Sequence, residues 1–124
     1  MISEEFIDLF EMSNIRKNES GLPVNIFVSS GGSVNNQHGP RIKAMVDTDD
    51  KFNVRNTVSI ILKKDITDDD VIGYDKLPVK ILNPIREYIN LNYDTLIQYW
   101  NDEMSTNEMT LSLLSLNSPK QSDI

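Results

Sequence analysis

The sequence predicts an α+β fold: a small antiparallel sheet of three strands, with a candidate fourth, packed against C-terminal helices and preceded by a short N-terminal helix. Three observations carry this. Runs near residues 24–28, 42–46 and 58–62 alternate apolar and polar side chains, the period of a half-buried strand. A long stretch after Asn83-Pro84 carries an apolar stripe at helical spacing, and Ser105 with Glu108 marks the start of another helix.

In chain order, residues 3–12 put Phe6, Leu9 and Phe10 on one side of a helix and Glu4, Glu5, Asp8 and Glu11 on the other. The acids near its start suit the helix dipole. Ser13 to Leu22 is polar, ends in Ser-Gly-Leu-Pro and reads as a connector with solvated bases Arg16 and Lys17. The first strand directs Val24, Ile26 and Val28 to one face and Asn25, Phe27 and Ser29 to the other. A turn-rich insert with Gly31-Gly32-Ser33 and Gly39-Pro40 leads to the second, where Ile42, Ala44 and Val46 oppose Arg41, Lys43 and Met45. The third sends Val58, Ile60 and Leu62 one way and Ser59, Ile61 and Lys63 the other. The predicted strand order is first, second, third, and Val71-Ile72-Gly73 is the candidate fourth, at an edge.

Asn83 as N-cap and Pro84 at the first helical position open a helix to Asn101, whose stripe is Ile85, Ile89, Leu96 and Trp100, supported by Tyr88 and Ile97. Asn92 falls on that stripe, where a buried amide needs hydrogen-bond partners and serves more often as a bracket than as a ligand contact. The Ser105 helix has a capping box with Glu108 and a Met104–Met109 staple, and Leu111, Leu113, Leu114 and Leu116 complete it. Residues 1–117 form one domain on this reading, and 118–124 a polar tail.

Composition narrows the chemistry. A net charge of -7 argues against binding nucleic acid directly or an anionic membrane, and no apolar run approaches a membrane span. Without cysteine there is no thiolate nucleophile or sulfur-ligated metal, and a single histidine cannot build an imidazole cluster. Counting an EF-hand loop from Asp47 places Lys51, Phe52 and Val58 where an oxygen ligand, Gly and Glu are required, and Asp68-Asp69-Asp70 lacks the same Gly and Glu. No metal or cofactor is expected. The start MISEEFIDLF has acids where a signal peptide needs bases, so a cytoplasmic location, bacterial or phage-like, is expected.

Catalytic groupings are sparse: GxSxG, P-loop and Rossmann glycine patterns are missing, and only His38, in a loop beside Gly39-Pro40-Arg41, could be an imidazole base. The stronger anomaly is on the polar sheet face. Pairing Val28 with Ile42 and Ala44 with Ile60 puts Arg41 opposite Lys63, and Lys43 beside Phe27 and Ile61. Like charges directly opposite are unfavourable, so something acidic and partly apolar should cover the face, either the N-terminal helix or a partner. The expected binding residues are Phe27, His38, Arg41, Lys43, Lys63 and Asn92, with none assigned to catalysis.

Gly21-Leu22-Pro23, Ser29, His38, Arg41, Lys43, Thr57-Val58-Ser59, and Asn92 with Tyr99-Trp100 give the chain, over Gly21 to Leu116, a resemblance to a family of small uncharacterised bacterial proteins. It resembles more distantly the small domains of unknown function found beside toxin and antitoxin genes, although their histidine-rich turn is missing here. The resemblance implies the architecture and draws attention to His38, Arg41 and Lys43; it brings no activity. The expected function is nonenzymatic protein binding or regulation, as in a phage or mobile-element inhibitor or an antitoxin-like partner. Two alternatives remain open: a small anion or nucleotide binder using His38, Arg41 and Lys43, and an acidic nucleic-acid mimic that blocks a DNA- or RNA-binding enzyme.

Overall fold

The computed structural model describes residues 12–29, 39–73 and 77–117. Strand β1 (Met12–Ile15) leads into a single helical turn, α1 (Lys17–Ser20). Strands β2 (Ile26–Ser29), β3 (Arg41–Met45) and β4 (Thr57–Ile61) follow, then a two-residue edge strand β5 (Val71–Ile72). A long helix α2 (Val79–Trp100) and a short helix α3 (Thr106–Ser112) end the described chain. The strands form one antiparallel five-stranded sheet in sequence order, so the expected order of the three central strands holds, the candidate fourth strand is present at one edge as β5, and β1 is a fifth, unexpected strand at the other.

The inner face of the sheet carries Ile15, Ile26, Val28, Ile42, Ala44, Val58 and Ile60, all buried. Against it α2 buries Ile81, Leu82, Ile85, Tyr88, Ile89 and Leu96, within one core that also takes in Met109 of α3. Fully burying such a side chain is worth about 1.5–3 kcal/mol, which makes this face the main source of stability.

Five expectations are corrected. Residues 13–22 are not a simple connector: Ser13 to Ile15 pair with β2, and Gly21, at φ 80, ends α1 in the left-handed conformation that glycine tolerates. One buried apolar side chain, Ile15, gives no alternation to read, because β1 exists by pairing at an edge. Of the expected N-terminal helix, residues 3–11 lie outside the described residues, and Met12 belongs to β1.

The long helix starts at Val79, upstream of Asn83, with Pro78 as its N-cap residue and Pro84 inside it. Interior proline costs roughly 3 kcal/mol. Burying both Ile81 and Leu82 returns about as much or more, at about 1.5–3 kcal/mol each. The last helix stops at Ser112 rather than Leu116. Beyond it the chain is pinned by backbone bonds, Leu116 N–H donating to the Ser20 carbonyl at 2.8 Å.

The register is also shifted. Val28 pairs with Ile42 as expected, but Ala44 pairs with Val58, so Arg41 lies opposite Ile61 and not Lys63. A slip of two residues keeps every side chain on its predicted face while changing its neighbour. The like-charge pair is therefore never formed.

At α3 the capping box is present: Glu108 N–H donates to Ser105 Oγ at 3.1 Å and Ser105 N–H to Glu108 Oε1 at 3.0 Å. Ser105→Ala should lower unfolding free energy by about 1 kcal/mol, read as an earlier denaturant midpoint, and Glu108→Ala should cost less. An unchanged midpoint for Ser105→Ala would show that the cap does not support the helix.

Candidate functional site

The outer face of the sheet is built from alternate residues of all five strands. One row across it reads Asn14, Phe27, Lys43, Ser59, Ile72, each pair directly opposed. Beside it Arg41 faces Ile61, and towards the other end Met45 faces Thr57. Among the described residues no strand contains an aspartate or glutamate, although the protein as a whole is strongly acidic.

One end of this face is closed by the chain itself. Phe52, in the β3–β4 connection, sets its ring edge-on to Phe27 with centroids 5.4 Å apart, and the Arg16 guanidinium lies 5.9 Å from the Phe52 centroid. Phe27 and Met45 are fully buried as a result of the packing at this end. The other end is more open: Arg41, Lys43, Ser59 and Ile61 are half-buried, and Ile72 is 57% exposed.

Of the six expected binding residues, the five that are described do not come together in one site. Arg41 and Lys43 lie together on β3. Phe27 is beneath Phe52 and inaccessible to a ligand. Lys63 lies past the end of β4 and pairs with Asp70 at 3.1 Å. His38 lies outside the described residues.

Asn92 is on α2, away from this face. Its Nδ2 donates to the Tyr88 carbonyl at 3.1 Å and the Leu114 carbonyl at 2.9 Å, and its Oδ1 accepts from Leu114 N–H at 2.7 Å. The side chain thus holds the segment after α3 against α2. Its bond to the carbonyl four residues back accompanies a local break in the helix, with φ -112 and ψ 16.

Sequence reasoning missed Asn25, a second buried amide. Its Oδ1 accepts from Lys17 N–H at 2.9 Å, and its Nδ2 donates to the carbonyls of Asp50 at 3.0 Å and Asp49 at 3.3 Å. It ties the α1 turn to the β3–β4 connection. Around it lies a cleft of about 510 Å³ lined by Arg16, Lys17, Asn18, Asn25 and Asp50. Lys17, expected to be only solvated, pairs with Asp50 at 2.8 Å and donates to the Thr48 carbonyl. With Asn25 saturated and Lys17 paired, the cleft is a braced surface trough.

Each displaced acidity traces to an internal contact. The Lys17 ammonium lowers Asp50. The Thr67 amide, aided by Lys63, lowers Asp70 against the cost of its burial. The Ser105 amide lowers Glu108, and burial raises Tyr88. Among the described residues no group of three or more acids and histidines is placed to hold a metal ion. Lys43 and Ser59 face one another across strands, but no hydrogen bond joins them, so a serine–lysine nucleophile is not assembled. What the face can do is bind: two cations on alternate residues of one strand, with Ile61 and Ile72 beside them.

No protein-family model, curated protein or solved structure matches the chain.

Asn92→Leu should cost on the order of 1–3 kcal/mol, because it strands the Leu114 amide and carbonyl; thermal unfolding should show the loss, and unchanged stability would refute the bracket. Asp70, with its acidity lowered in the fold, contributes stability above its ordinary pKa of 3.8 and loses it as pH falls through the lowered folded value. Asp70→Asn should therefore melt earlier than the parent at neutral pH, with the gap closing in acid. A gap that stays constant down to strongly acid pH would exclude this assignment.

Proposed function

We propose that the protein is a nonenzymatic binding or regulatory protein that engages another protein through the open end of its outer sheet face, in the manner of a phage or mobile-element inhibitor or an antitoxin-like partner. One observation carries the reading: Lys43 is half-buried between Phe27 and Ser59 and makes no ion pair among the described residues. A lysine held in this position beside Ile61 and Ile72 offers charge and apolar area together, the combination an acidic protein surface with apolar side chains would take up.

Among the described residues the shifted acids and Tyr88 are all accounted for by structural contacts, which supports the same reading. The nucleic-acid mimic finds less support. Asp47, Asp49 and Asp50 are exposed, but Asp47 and Asp49 accept loop amides at 3.1 and 3.2 Å and Asp50 and Asp70 pair with lysines, so part of the acidity is committed to local contacts.

The test is Lys43→Glu. The variant should melt like the parent and lose the proteins that the parent captures from a lysate of the cells that make it. Equal capture by parent and variant would overturn the proposal. Calorimetry of the parent with phosphate and nucleotides addresses the ligand alternative, in which a small anion binds and the same substitution abolishes its heat.

A further inference from the structure

The closed end of the outer face already holds an aromatic ring that comes from outside the sheet. Phe52, from the β3–β4 connection, meets Phe27 edge-on with centroids 5.4 Å apart. Phe52 is half-buried while residues 47–51, Asn53 and Arg55 around it are exposed, so the ring is turned inward from a solvated loop. We infer that Phe52 fills the aromatic half of a recognition site whose acid-binding half is Lys43, and that the site takes an aromatic side chain of the protein partner with a carboxylate beside the ring. This rests on the binding function proposed above and names the chemistry of the partner.

The two halves adjoin. Phe27 lies directly opposite Lys43 in the β2–β3 register, and side chains so placed have Cβ atoms about 4.5–5.5 Å apart. A ring seated on Phe27 therefore brings a carboxylate attached close to it within reach of the flexible lysine stem. Lys43 makes no ion pair among the described residues, whereas Lys17 and Lys63 are committed to Asp50 and Asp70. The seat favours an aromatic over an aliphatic group, because it offers the edge-to-face contact of Phe27 and the Arg16 guanidinium 5.9 Å from the ring centroid.

The resident ring can leave without disturbing the inner face. Val46 N–H donates to the Asn56 carbonyl at 3.0 Å and closes the connection at its base, so residues 47–55 loop out beyond the paired strands. Lys17 holds that loop through Asp50 at 2.8 Å and the Thr48 carbonyl, and Asn25 holds it through the carbonyls of Asp49 and Asp50. None of these partners lies on the inner face of the sheet or on α2. A loop held by a few contacts near solvent opens at lower cost than the fold as a whole.

The probe is phenylacetate, which joins a ring to a carboxylate, with benzyl alcohol as the uncharged control; both are titrated into the full chain and followed by NMR. Phe52→Ala vacates the aromatic half, and apolar space emptied in this way takes up small aromatic molecules. This variant should bind phenylacetate saturably and several-fold more tightly than the parent, with shifts at Phe27 and Lys43. Adding Lys43→Gln should weaken phenylacetate several-fold and leave benzyl alcohol unchanged. Lys17→Met keeps Phe52 but loosens the loop, and should also bind phenylacetate more tightly than the parent; it decides the matter if Phe52→Ala does not fold. No gain in binding by the variants that fold, or a gain indifferent to Lys43→Gln, would overturn the inference. Capture separates the two proposals. Absence of phenylacetate binding with capture lost in Lys43→Glu removes the aromatic-acid site and leaves the binding function standing. Phenylacetate binding with capture unaffected by Lys43→Glu keeps the site and removes the protein partner from it.

Discussion

The inner face of the sheet has to leave water, and nearly every other feature of the fold answers to that demand. Across the paired positions of β1 to β5 this face presents one polar side chain, Ser13, among Ile15, Ile26, Val28, Ile42, Ala44, Val58, Ile60 and Val71. A single helix of 22 residues, about 33 Å long, is enough to lie across a five-stranded sheet roughly 19 Å from first strand to last. The helix accepts an internal proline to do so, because stopping short at Pro84 would leave Ile81 and Leu82 in water. The lone polar group at the edge is satisfied by a chain of hydroxyls, Ser13 to Tyr99 at 3.0 Å and Tyr99 to Thr106 at 2.8 Å, which ties β1 to α2 and α3.

Two buried asparagines then fix what the hydrophobic layer alone would leave loose. Asn25 and Asn92 each use both amide atoms on main-chain groups from distant segments. Hydrophobic burial is non-directional and sets proximity, whereas an amide with donor and acceptor sides fixes orientation. Asn25 positions α1 against the β3–β4 connection, which brings Phe52 over Phe27 and closes one end of the outer face. Asn92 positions the residues after α3, and the Leu116 bond to Ser20 continues that attachment towards α1.

The charges follow the same division. Aspartates of the turns are spent on loop amides and neighbouring lysines, while the strands carry Arg41 and Lys43 and no acid. This separation gives the outer face of the described strands a sign opposite to that of the protein as a whole. Because the cations are few and the surrounding charge is negative, a long polyanion would be repelled beyond the immediate contact, while a short acidic segment would not. Among the described residues no helix is long and apolar enough to cross a bilayer.

The sequence by itself determined the three central strands, their faces and order, the existence of the long helix and the capped start of α3, because each is written in local periodicity or in a residue pair a few positions apart. It also marked Asn92, since a polar residue on an apolar stripe is visible without coordinates. Only the tertiary structure decided the register of β3 on β4, because a two-residue slip preserves the alternation that the sequence displays. It likewise decided β1, whose four residues are held by pairing rather than propensity, and the start of α2, where burial of Ile81 and Leu82 outweighs the proline signal. The candidate site changed for the same reason: Phe27 is hidden by Phe52, Lys63 is drawn to Asp70, and Arg41 with Lys43 remain. Those outcomes turn on contacts between residues far apart in the chain, which no local pattern encodes.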